Sequence, residues 1–473
     1  MKKKQPKAII LGAGVAGLAS GWKLSEVGYQ ILVLEKNPFI GGMASSFRYK
    51  DFTLDHGPHK IFTLMEDVLK EVTNLVGKDN LLVVKKKSRI YMNGRFLNYP
   101  VTLGELLKKL GLTTCMVCGL SFLKGQIKSL IRRPVDHSFE DWVINRFGFK
   151  ISNLIFSPYA RKIWGEPKNL AVELASTRIA APSLWEIVRQ MILKLPSNSV
   201  INADYFYYPK YGVWEIPKKM AERIQKKKGK ILTNETITNI KVDNGKVTTI
   251  DYGERKKVII GEDDVIVSTI PIPILLRIIY PPPPKEVFLA AQKLKTRNLI
   301  LFYLIINKQS VSDDSWLFFP ESKFIFNRIF EQKNFSSYLI PKEKTTLCIE
   351  VTCDADSSTW RKSTDEIYKT IIDQLEHTGL VNRDEVIEYF DKRLSFAYPI
   401  YDINFRDNLD KIYKFVDTIK NIYTIGRQGA FGYTGTLDSI DMGFTVASFI
   451  QKHQARREWS KAREKFTSYV VVD

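Results

Sequence analysis

A glycine-rich turn between a strand and a helix, close to the amino terminus, constrains the fold of this chain more than any other feature. The apolar run Lys7–Leu11 leads into Gly12-Ala-Gly14-Val-Ala-Gly17, and a helical pattern follows. A second apolar run ends at Glu35. Strand, glycine turn, helix and second strand form the unit that starts a doubly wound parallel sheet. The sequence therefore predicts an α/β fold with a Rossmann domain.

Each glycine of this turn has its own physical reason. Gly12 permits the tight turn, Gly14 lets the backbone approach a pyrophosphate, and Gly17 lets the helix pack closely on the strand. The helix N-terminus offers N–H groups and a positive dipole end to the phosphates. Glu35, 21 residues after Gly14, stands where a carboxylate accepts hydrogen bonds from an unphosphorylated ribose. We expect a dinucleotide site here.

A second glycine turn, Gly41-Gly42-Met43-Ala44, follows the second strand. It resembles the second glycine signature of the glutathione-reductase-type FAD proteins, particularly the amine oxidase and UDP-galactopyranose mutase branches. The resemblance implies FAD rather than NAD, and it implies cofactor contacts beyond the first turn. The cofactor residues expected in this part of the chain are Gly12, Gly14, Ala16, Gly17, Glu35, Lys36, Gly42, Met43, Ala44 and His59.

The charge balance is strongly basic, with a net charge of +20 from 71 basic and 51 acidic residues. Such a balance suits an anionic partner such as a nucleotide or a phospholipid surface, but it also arises from solvated lysines without a partner. No pattern resembles a nucleic-acid-binding module. Cys115 and Cys118 have no neighbouring histidine, so we predict no metal site. Low cysteine use and the lack of a secretory leader favour the cytoplasm.

The longest apolar segment, Leu110–Leu123, has 14 residues, too few to span a bilayer. Lys108, Lys109 and Lys124 flank it. We favour a buried helix of a substrate domain. A shallow anchor on a membrane surface, giving weak membrane association, stays open as the alternative.

Two internal segments resemble the UDP-galactopyranose mutases more specifically. Gly57-Pro58-His59 resembles the loop that covers the flavin ring in that family, which implies that His59 lies near the isoalloxazine. Tyr159 and Trp164-Gly165 resemble a segment whose aromatic residues line the nucleotide-sugar pocket. A histidine in a structural turn and aromatic residues in a core are the alternatives.

Two further segments resemble the substrate pocket of the same family. Arg328, within residues 326–336, matches an arginine that contacts the substrate pyrophosphate, and Tyr398 matches a tyrosine beside the sugar pocket. An edge-strand salt bridge is the alternative for Arg328. Lys210 stands near the place of a second pyrophosphate-binding arginine in the family. Lysine lacks the planar fork of arginine, so this departure counts against a mutase activity.

The last motif begins where a strand ends at Gly426 and continues through Arg427 and Tyr433 into a closing helix. By resemblance, Arg427 lies beside the flavin or the sugar and Tyr433 offers its hydroxyl to a phosphate. The helix N-cap is either Thr436 or Asp438. This motif adds Gly426, Arg427, Asp438 and Met442 to the cofactor contacts. The predicted catalytic residues are His59, Arg328, Tyr398, Arg427 and Tyr433, and the predicted substrate residues are Tyr159, Trp164, Lys210, Arg328, Tyr398 and Tyr433.

The length of 473 residues allows about three domains. We expect a discontinuous glutathione-reductase-type Rossmann FAD domain with inserted helical and antiparallel-sheet substrate domains. The expected ranges are 1–75, 212–275 and 420–455 for the FAD domain, 76–211 for the mainly helical domain, 276–419 for the sheet domain and 456–473 for a charged, solvated tail.

The resemblance implies an FAD-dependent flavoenzyme of the amine oxidase superfamily that acts on an anionic nucleotide-sugar through N5 of the reduced flavin. The mutase reaction is redox-neutral and converts a pyranose ring to a furanose ring. The alternative is an FAD-dependent oxidoreductase of the amine or protoporphyrinogen oxidase type, which takes hydride from an apolar substrate. A non-catalytic scaffold stabilised by FAD is a further alternative, and the oligomeric state stays open.

Overall fold

A computed structural model describes residues 5–99, 103–131, 135–179 and 204–469 of the chain. These residues form two compact units. The first unit takes the described residues of Met1–Leu82, Tyr207–Lys295 and Phe405–Tyr469, and the second those of Val83–Phe206 and Thr296–Asn404. The sequence also predicts loops at Arg133-Pro134 and at residues 195–199, and both lie outside the described residues.

The strands, in chain order, are β1 Lys7–Leu11, β2 Gln30–Leu34, β3 Ser46–Tyr49, β4 Phe52–Asp55, β5 Leu81–Lys85, β6 Ser88–Met92, β7 Arg95–Tyr99, β8 Tyr205–Pro209, β9 Lys230–Leu232, β10 Ile237–Asp243, β11 Lys246–Tyr252, β12 Lys256–Ile259, β13 Val265–Ser268, β14 Ile279–Tyr280, β15 Thr296–Ile306, β16 Trp316–Phe318, β17 Arg328–Glu331, β18 Thr345–Cys353, β19 Val386–Pro399 and β20 Ile422–Thr424.

The α-helices, in chain order, are α1 Val15–Glu26, α2 Glu66–Val76, α3 Leu103–Leu110, α4 Leu112–Ile131, α5 Phe139–Ile151, α6 Ser157–Ile163, α7 Val172–Ser176, α8 Glu215–Lys226, α9 Ile272–Ile278, α10 Lys285–Lys293, α11 Ser358–Arg361, α12 Thr364–Thr378, α13 Phe405–Val416, α14 Gly426–Gly429, α15 Thr436–Gln451 and α16 Trp459–Glu464.

The first unit is built on a five-stranded parallel sheet in the order β20-β13-β1-β2-β9. β1 lies in the centre, and its residues Ala8, Ile9, Ile10 and Leu11 are fully buried. Strands covered on both faces read as continuous apolar runs, which is why the pattern was visible in the sequence. The α/β fold class is thereby confirmed, and α1 begins at Val15, within the predicted glycine motif.

The second unit is built on a seven-stranded sheet in the order β19-β15-β18-β17-β16-β6-β7. All neighbouring strands are antiparallel except β16 and β6. Helix α12 contributes a buried apolar face to the core of this unit through Ile367, Ile371 and Leu375. Strands β6 and β7 lie in the segment predicted as mainly helical, so the two predicted substrate segments share one sheet.

The carboxy-terminal segment differs from the prediction of a solvated tail. Trp459 is fully buried, and its ring lies 5.2 Å from the rings of both Tyr423 and Phe449. Arg463 donates to Asp417 at 2.9 and 3.0 Å. Residues 456–469 thus belong to the first unit, because the buried ring of Trp459 and the ion pair of Arg463 anchor an otherwise charged stretch.

Helix α4 contradicts the prediction of a buried helix. Leu112, Met116, Leu120 and Ile127 are between 56% and 65% exposed. The apolar run continues around much of the helix, so its sequence alone did not show which side a neighbour would cover. No helix in the described ranges is long and apolar enough to cross a membrane.

Candidate functional site

The first glycine turn has the close packing that its sequence predicted. Gly12 has a φ of +103°, and a Cβ there would lie 2.3 Å from Oγ1 of Thr269. A Cβ on Gly17 would lie 2.2 Å from the carbonyl oxygen of Gly12. Neither distance is tolerable, so both positions require glycine for reasons internal to the protein. The turn places the N-terminus of α1 at the carboxyl end of β1.

Gly14 differs from its neighbours because protein packing does not explain it. It is the N-cap of α1, and a Cβ there would meet no protein atom within 4 Å. The second turn lies beside it, since Gly41 donates its N–H to the carbonyl of Ala13 at 2.8 Å. A Cβ on Gly42 would lie 3.2 Å from the Cα of Gly14. The two turns thus form a cradle of backbone at a helix N-terminus, which fits a pyrophosphate.

Glu35 follows directly after β2, beside this cradle, and is buried. Its Oε2 accepts the N–H of Ala13 at 2.8 Å, and its Oε1 accepts both the backbone N–H and the side-chain amide of Asn37 at 2.9 Å. An ionised carboxylate has about four acceptor positions, so it can also accept from a ribose hydroxyl. Lys36, which follows, is exposed.

His59, Met43 and Arg427 lie together in the first unit. Nε2 of His59 lies 3.2 Å from the carbonyl oxygen of His56. The pKa of His59 is lowered to about 4, mainly by burial; the charge of Arg427 adds to the lowering, and hydrogen bonds to the backbone of His56 and Met43 oppose it. The imidazole is therefore neutral near pH 7. Since a carbonyl only accepts, Nε2 carries the proton and Nδ1 is the acceptor.

His56 was missed by the sequence analysis, although it shapes the same loop. Its Nδ1 lies 2.9 Å from Oγ of Ser45, and its ring stacks on Phe39 with centroids 5.3 Å apart. Ser45 in turn donates to the carbonyl of Gly42 at 2.6 Å. Ala44, between these residues, is buried. Nothing in the sequence around His56 indicated that this histidine holds the second glycine turn in place.

The carboxy-terminal motif closes onto α1 within the first unit. Gly426 has a φ of +81°, and a Cβ there would lie 3.0 Å from the Cβ of Ala16. Its N–H points at the sulfur of Met442, 3.1 Å away. Arg427 donates through Nε to the carbonyl of Thr434 at 3.0 Å, and its guanidinium lies 5.4 Å from the ring centre of Tyr433.

Helix α15 begins with Gly435 as its N-cap, so both predicted N-caps, Thr436 and Asp438, are wrong. Asp438 lies in the first turn instead, where its Oδ2 accepts the N–H of Gly435 at 2.7 Å. A carboxylate satisfies a helix N-terminus from this position as well as from the N-cap. Asp438 thereby fixes the turn between Arg427 and the helix.

The predicted substrate residues fall in both units. Lys210 lies in the first unit, after β8, where its backbone N–H donates to the carbonyl of Asn80 at 2.9 Å and its Nζ lies 5.8 Å from the ring centre of Tyr211. Burial raises the pKa of Glu215, and Lys210 is one of the cations that oppose this rise. Tyr159, Trp164, Arg328 and Tyr398 lie in the second unit.

Arg328 forms a two-pronged ion pair with Glu350 on the neighbouring strand β18. Nε donates to Oε2 at 2.6 Å and Nη2 donates to Oε1 at 3.0 Å. The Glu350 side chain is 1% exposed and that of Arg328 17%. Burial alone lowers the pKa of Arg328, but Glu350 outweighs burial, so the pKa lies well above its ordinary value. The sequence did not predict this pairing.

Two tyrosines surround this ion pair. Tyr398 and Tyr159 both interact electrostatically with Arg328. Tyr398 lies on β19 opposite Arg297, and Tyr159 lies on α6 with its ring edge against Phe318, 6.0 Å between centroids. Both tyrosines are half-buried. The structure thus brings together three of the four substrate residues predicted in this unit.

Trp164 is more enclosed than the other three. Only 7% of it is exposed. Its ring lies 6.0 Å from Phe139, and the guanidinium of Arg178 lies 5.5 Å from its centre. A stacking role for Trp164 on a substrate stays a prediction.

Lys162 was also missed and holds the segment that leads to Arg328. Its Nζ donates to the carbonyl oxygens of Phe319 at 2.7 Å and of Glu321 and Phe326 at 2.8 Å. Burial lowers the pKa of Lys162 to about 7, with Glu321 opposing the shift. Because an ammonium has three N–H groups, one lysine satisfies three carbonyls of the loop before β17.

Comparisons with known proteins agree on the fold class. A family model described as flavin containing amine oxidoreductase matches residues 15–398. The structure of a reduced UDP-galactopyranose mutase aligns over 98% of this chain and 100% of that chain, with 22% identity and a TM-score of 0.83. A putrescine oxidase bound to putrescine aligns over 94% and 99%, with 17% identity and a TM-score of 0.64. At these identities the two structures show the fold alone.

A curated relative matches only locally. A 4,4'-diapophytoene desaturase from Staphylococcus aureus (strain bovine RF122) is 36% identical over 73 residues. The match covers 15% of this chain and 14% of the desaturase. At this coverage the match carries no conclusion about what this chain acts on.

Proposed function

Because this chain belongs to the flavin-containing amine oxidoreductases, we propose that it acts on an anionic nucleotide-sugar in the manner of a UDP-galactopyranose mutase. It is an enzyme, and its cofactor is FAD. The substrate class and the mutase reaction are the proposed part. They rest on one observation, the buried Arg328–Glu350 pair with its two tyrosines.

The first unit supplies the residues proposed to hold the cofactor. The N-terminus of α1 and the two glycine turns would take the pyrophosphate, and Glu35 the adenosine ribose. The positive dipole end of α15 would face the flavin, with Asp438 limiting the charge there. When bound, FAD supplies a ring that exchanges electrons and carries a nucleophilic N5 in its reduced form.

His59 and Arg427 are proposed to order the groups around this ring. A neutral His59 offers one acceptor, Nδ1, and cannot add positive charge near pH 7. Arg427 is the permanent cation of the pair, and the carbonyl of Thr434 fixes its direction. The histidine thus orients by hydrogen bonding while the arginine supplies the charge.

Arg328 is proposed to bind the diphosphate of the substrate. Glu350 uses the Nε–H and one Nη2–H of the guanidinium, which leaves the two N–H groups of Nη1 for a phosphate oxygen. Glu350 also holds the guanidinium plane in one orientation, so less side-chain entropy is lost on binding. Tyr398 and Tyr159 offer hydroxyl groups beside it. Since the ion pair is neutral as a whole, the binding energy would come from directed hydrogen bonds.

A second candidate is an FAD-dependent oxidoreductase that takes hydride from an apolar substrate. The observation that favours it is Lys210, which stands near the place where the mutase family has an arginine. The lysine ammonium is a point charge and lacks the planar guanidinium that binds a phosphate through two hydrogen bonds. A non-catalytic scaffold would bind FAD and show no turnover with either substrate class.

The first experiment is a titration of the purified holoenzyme, reduced with dithionite, with UDP and with UDP-galactose. Under the proposal, both ligands perturb the flavin absorbance, and chromatography of the sugar product shows a furanose. Absence of any response to UDP would refute the nucleotide-sugar proposal. Bleaching of the oxidised flavin by an amine or a tetrapyrrole precursor would establish the oxidoreductase instead.

The variants Arg328→Lys and Arg328→Ala test whether Arg328 of the Arg328–Glu350 pair binds the substrate. Arg161→Ala is the matched control. Arg161 lies on the same helix as Tyr159 and pairs with Glu166 on the surface, its side chain being 51% exposed. Loss of the fork should weaken UDP binding by roughly 1.5–3 kcal/mol, the scale of a hydrogen bond to a charged group. The lysine variant keeps the charge beside Glu350 and hence the fold. Unchanged UDP affinity in that variant would remove Arg328 from the site.

A further inference from the structure

Helix α4 carries an exposed row of large aliphatic side chains. The exposed fractions are 65% for Leu112, 57% for Met116, 65% for Leu120, 46% for Leu123 and 56% for Ile127. Their spacing of four, four, three and four residues puts all five within an arc of about 80°. The row runs for about 22 Å along the helix. We call these five residues the α4 ridge.

The opposite side of α4 is fixed on α5, so the direction of the ridge is set by packing. A Cβ on Gly148 would lie 2.4 Å from the carbonyl oxygen of Ser121, and one on Gly125 would lie 3.5 Å from the carbonyl of Ile144. Gln126 also donates to the carbonyl of Arg146 at 2.8 Å. Backbones this close leave the helix no room to rotate, and rotation would be needed to bury the ridge.

The surroundings of the ridge are cationic. Lys108 on α3 and Lys124 on α4 are exposed, and Lys124 lies only about 40° around the helix from Leu120, at the border of the ridge. Across the sequences of α3 and α4 the only acidic residue is Glu105, and Lys109 pairs with it at 2.7 Å. An apolar strip edged by lysines matches a surface that is apolar inside and negatively charged at its border.

We propose that the α4 ridge docks on the surface of a bilayer that contains anionic lipid, with α4 lying in the plane of the interface. The ridge is convex, being one face of a single helix, and a fluid bilayer can deform around such a shape. A second copy of the chain would bring the same lysines face to face. A helix that lies in the interface enters it by about 5–10 Å, which suits a row of side chains one residue wide.

Co-sedimentation of the holoenzyme with vesicles tests this proposal. One vesicle type contains phosphatidylcholine alone, and the other contains phosphatidylcholine and phosphatidylglycerol in equal parts. We expect the holoenzyme to bind the mixed vesicles at least tenfold more tightly than the neutral ones, with binding that weakens as salt increases. No binding to the mixed vesicles would overturn the proposal.

The triple variant Met116→Ser, Leu120→Ser and Leu123→Ser removes the middle of the ridge. Its matched control is Ile259→Ser, Leu289→Ser and Ile387→Ser, which makes similar changes at side chains that are 62%, 44% and 49% exposed. The ridge variant should lose at least tenfold in affinity for mixed vesicles, and the control should keep it. Equal binding by the ridge variant and the wild type would overturn the proposal.

Sedimentation velocity without lipid tests the competing explanation, in which a second copy of the chain covers the α4 ridge. If the wild type self-associates with increasing concentration and the ridge variant does not, a second copy covers the ridge and the membrane proposal is wrong. Retained flavin absorbance and an unchanged melting temperature show that both triple variants are folded. The result is independent of the substrate, because no substrate enters either measurement.

Discussion

The contact between α1 and α15 offers a sharp test of the cofactor unit through Gly443→Ala. A Cβ on Gly443 would lie 2.6 Å from the carbonyl oxygen of Ala16 and 2.8 Å from the backbone N of Ser20. These obstacles are backbone atoms, so the two helices must separate. Replacing glycine by alanine inside a helix gains up to about 1 kcal/mol of helix propensity, whereas overpacking costs about 1–3 kcal/mol or more. We expect a net destabilisation of about 1–2 kcal/mol.

The matched variant is Gly119→Ala on the outer side of α4. No atom lies within 4 Å of a Cβ at this position, so only the propensity term applies, and the variant should gain up to about 1 kcal/mol. Thermal unfolding followed by circular dichroism measures both variants. If Gly443→Ala is as stable as Gly119→Ala, the close helix contact is wrong.

The same substitution should also weaken FAD binding, because the N-termini of both helices are proposed to face the cofactor. Gly14 caps α1 and Gly435 caps α15. If the displacement of the helices costs about 1.4 kcal/mol of FAD-binding free energy, the dissociation constant of FAD rises tenfold. Reconstitution of the apoprotein, followed by the quenching of FAD fluorescence, measures this constant. Unchanged affinity together with lost stability would place the cofactor elsewhere.

Three further predictions concern the half-buried His59 and Lys162 and the buried Trp459. The folded-state pKa of His59, about 4, lies below its ordinary value near 6.5. Between these two pH values the unfolded chain therefore binds more protons than the folded one. About 3 kcal/mol of stability should be lost as the pH falls from 6.5 to 4. His59→Gln should remove that part of the pH dependence in urea unfolding, and identical pH profiles would refute it. Lys162→Met leaves three carbonyls without their donor and should cost about 3 kcal/mol or more, whereas Lys168→Met on the surface should stay within about 0.5 kcal/mol in the same unfolding assay; equal costs would contradict the carbonyl clamp. Trp459→Ala should lower the free energy of unfolding by about 3–5 kcal/mol, and Trp459→Phe by much less, since the indole N–H makes no hydrogen bond in the described ranges; a fully stable alanine variant would mean that the segment is solvated.

Features with a local cause were predictable from the sequence. Asn93-Gly94 and Asn244-Gly245 both form hairpin turns with positive φ at each residue, as the dipeptide demands. Helix α12, Thr364–Thr378, has a capping box between Ser363 and Glu366 and ends at a left-handed Gly379. In such places the sequence carries the whole reason for the structure.

Features with a distant cause were not predictable in the same way. The partner of Arg328 is Glu350, on a strand whose register no local pattern sets. The exposure of the α4 ridge depends on Gly148, which lies on the next helix and admits the backbone of α4. The buried place of Trp459 depends on Tyr423 and Phe449. A periodic pattern shows that a helix has an apolar face, but only the neighbours decide whether the face is covered.

The order of the parallel sheet also dictates when the first unit can be completed during synthesis. The central strand β1 pairs with β13, from Ala8 and Val265 onward, and β13 pairs with β20 at Ile422. One edge of β1 therefore stays open on the ribosome until more than half of the protein has been made. The helix proposed to face the flavin, α15, emerges later still. We therefore expect cofactor capture to be a late event for the nascent chain, and the unfinished sheet, with its open strand edge, to be the stage most prone to aggregation.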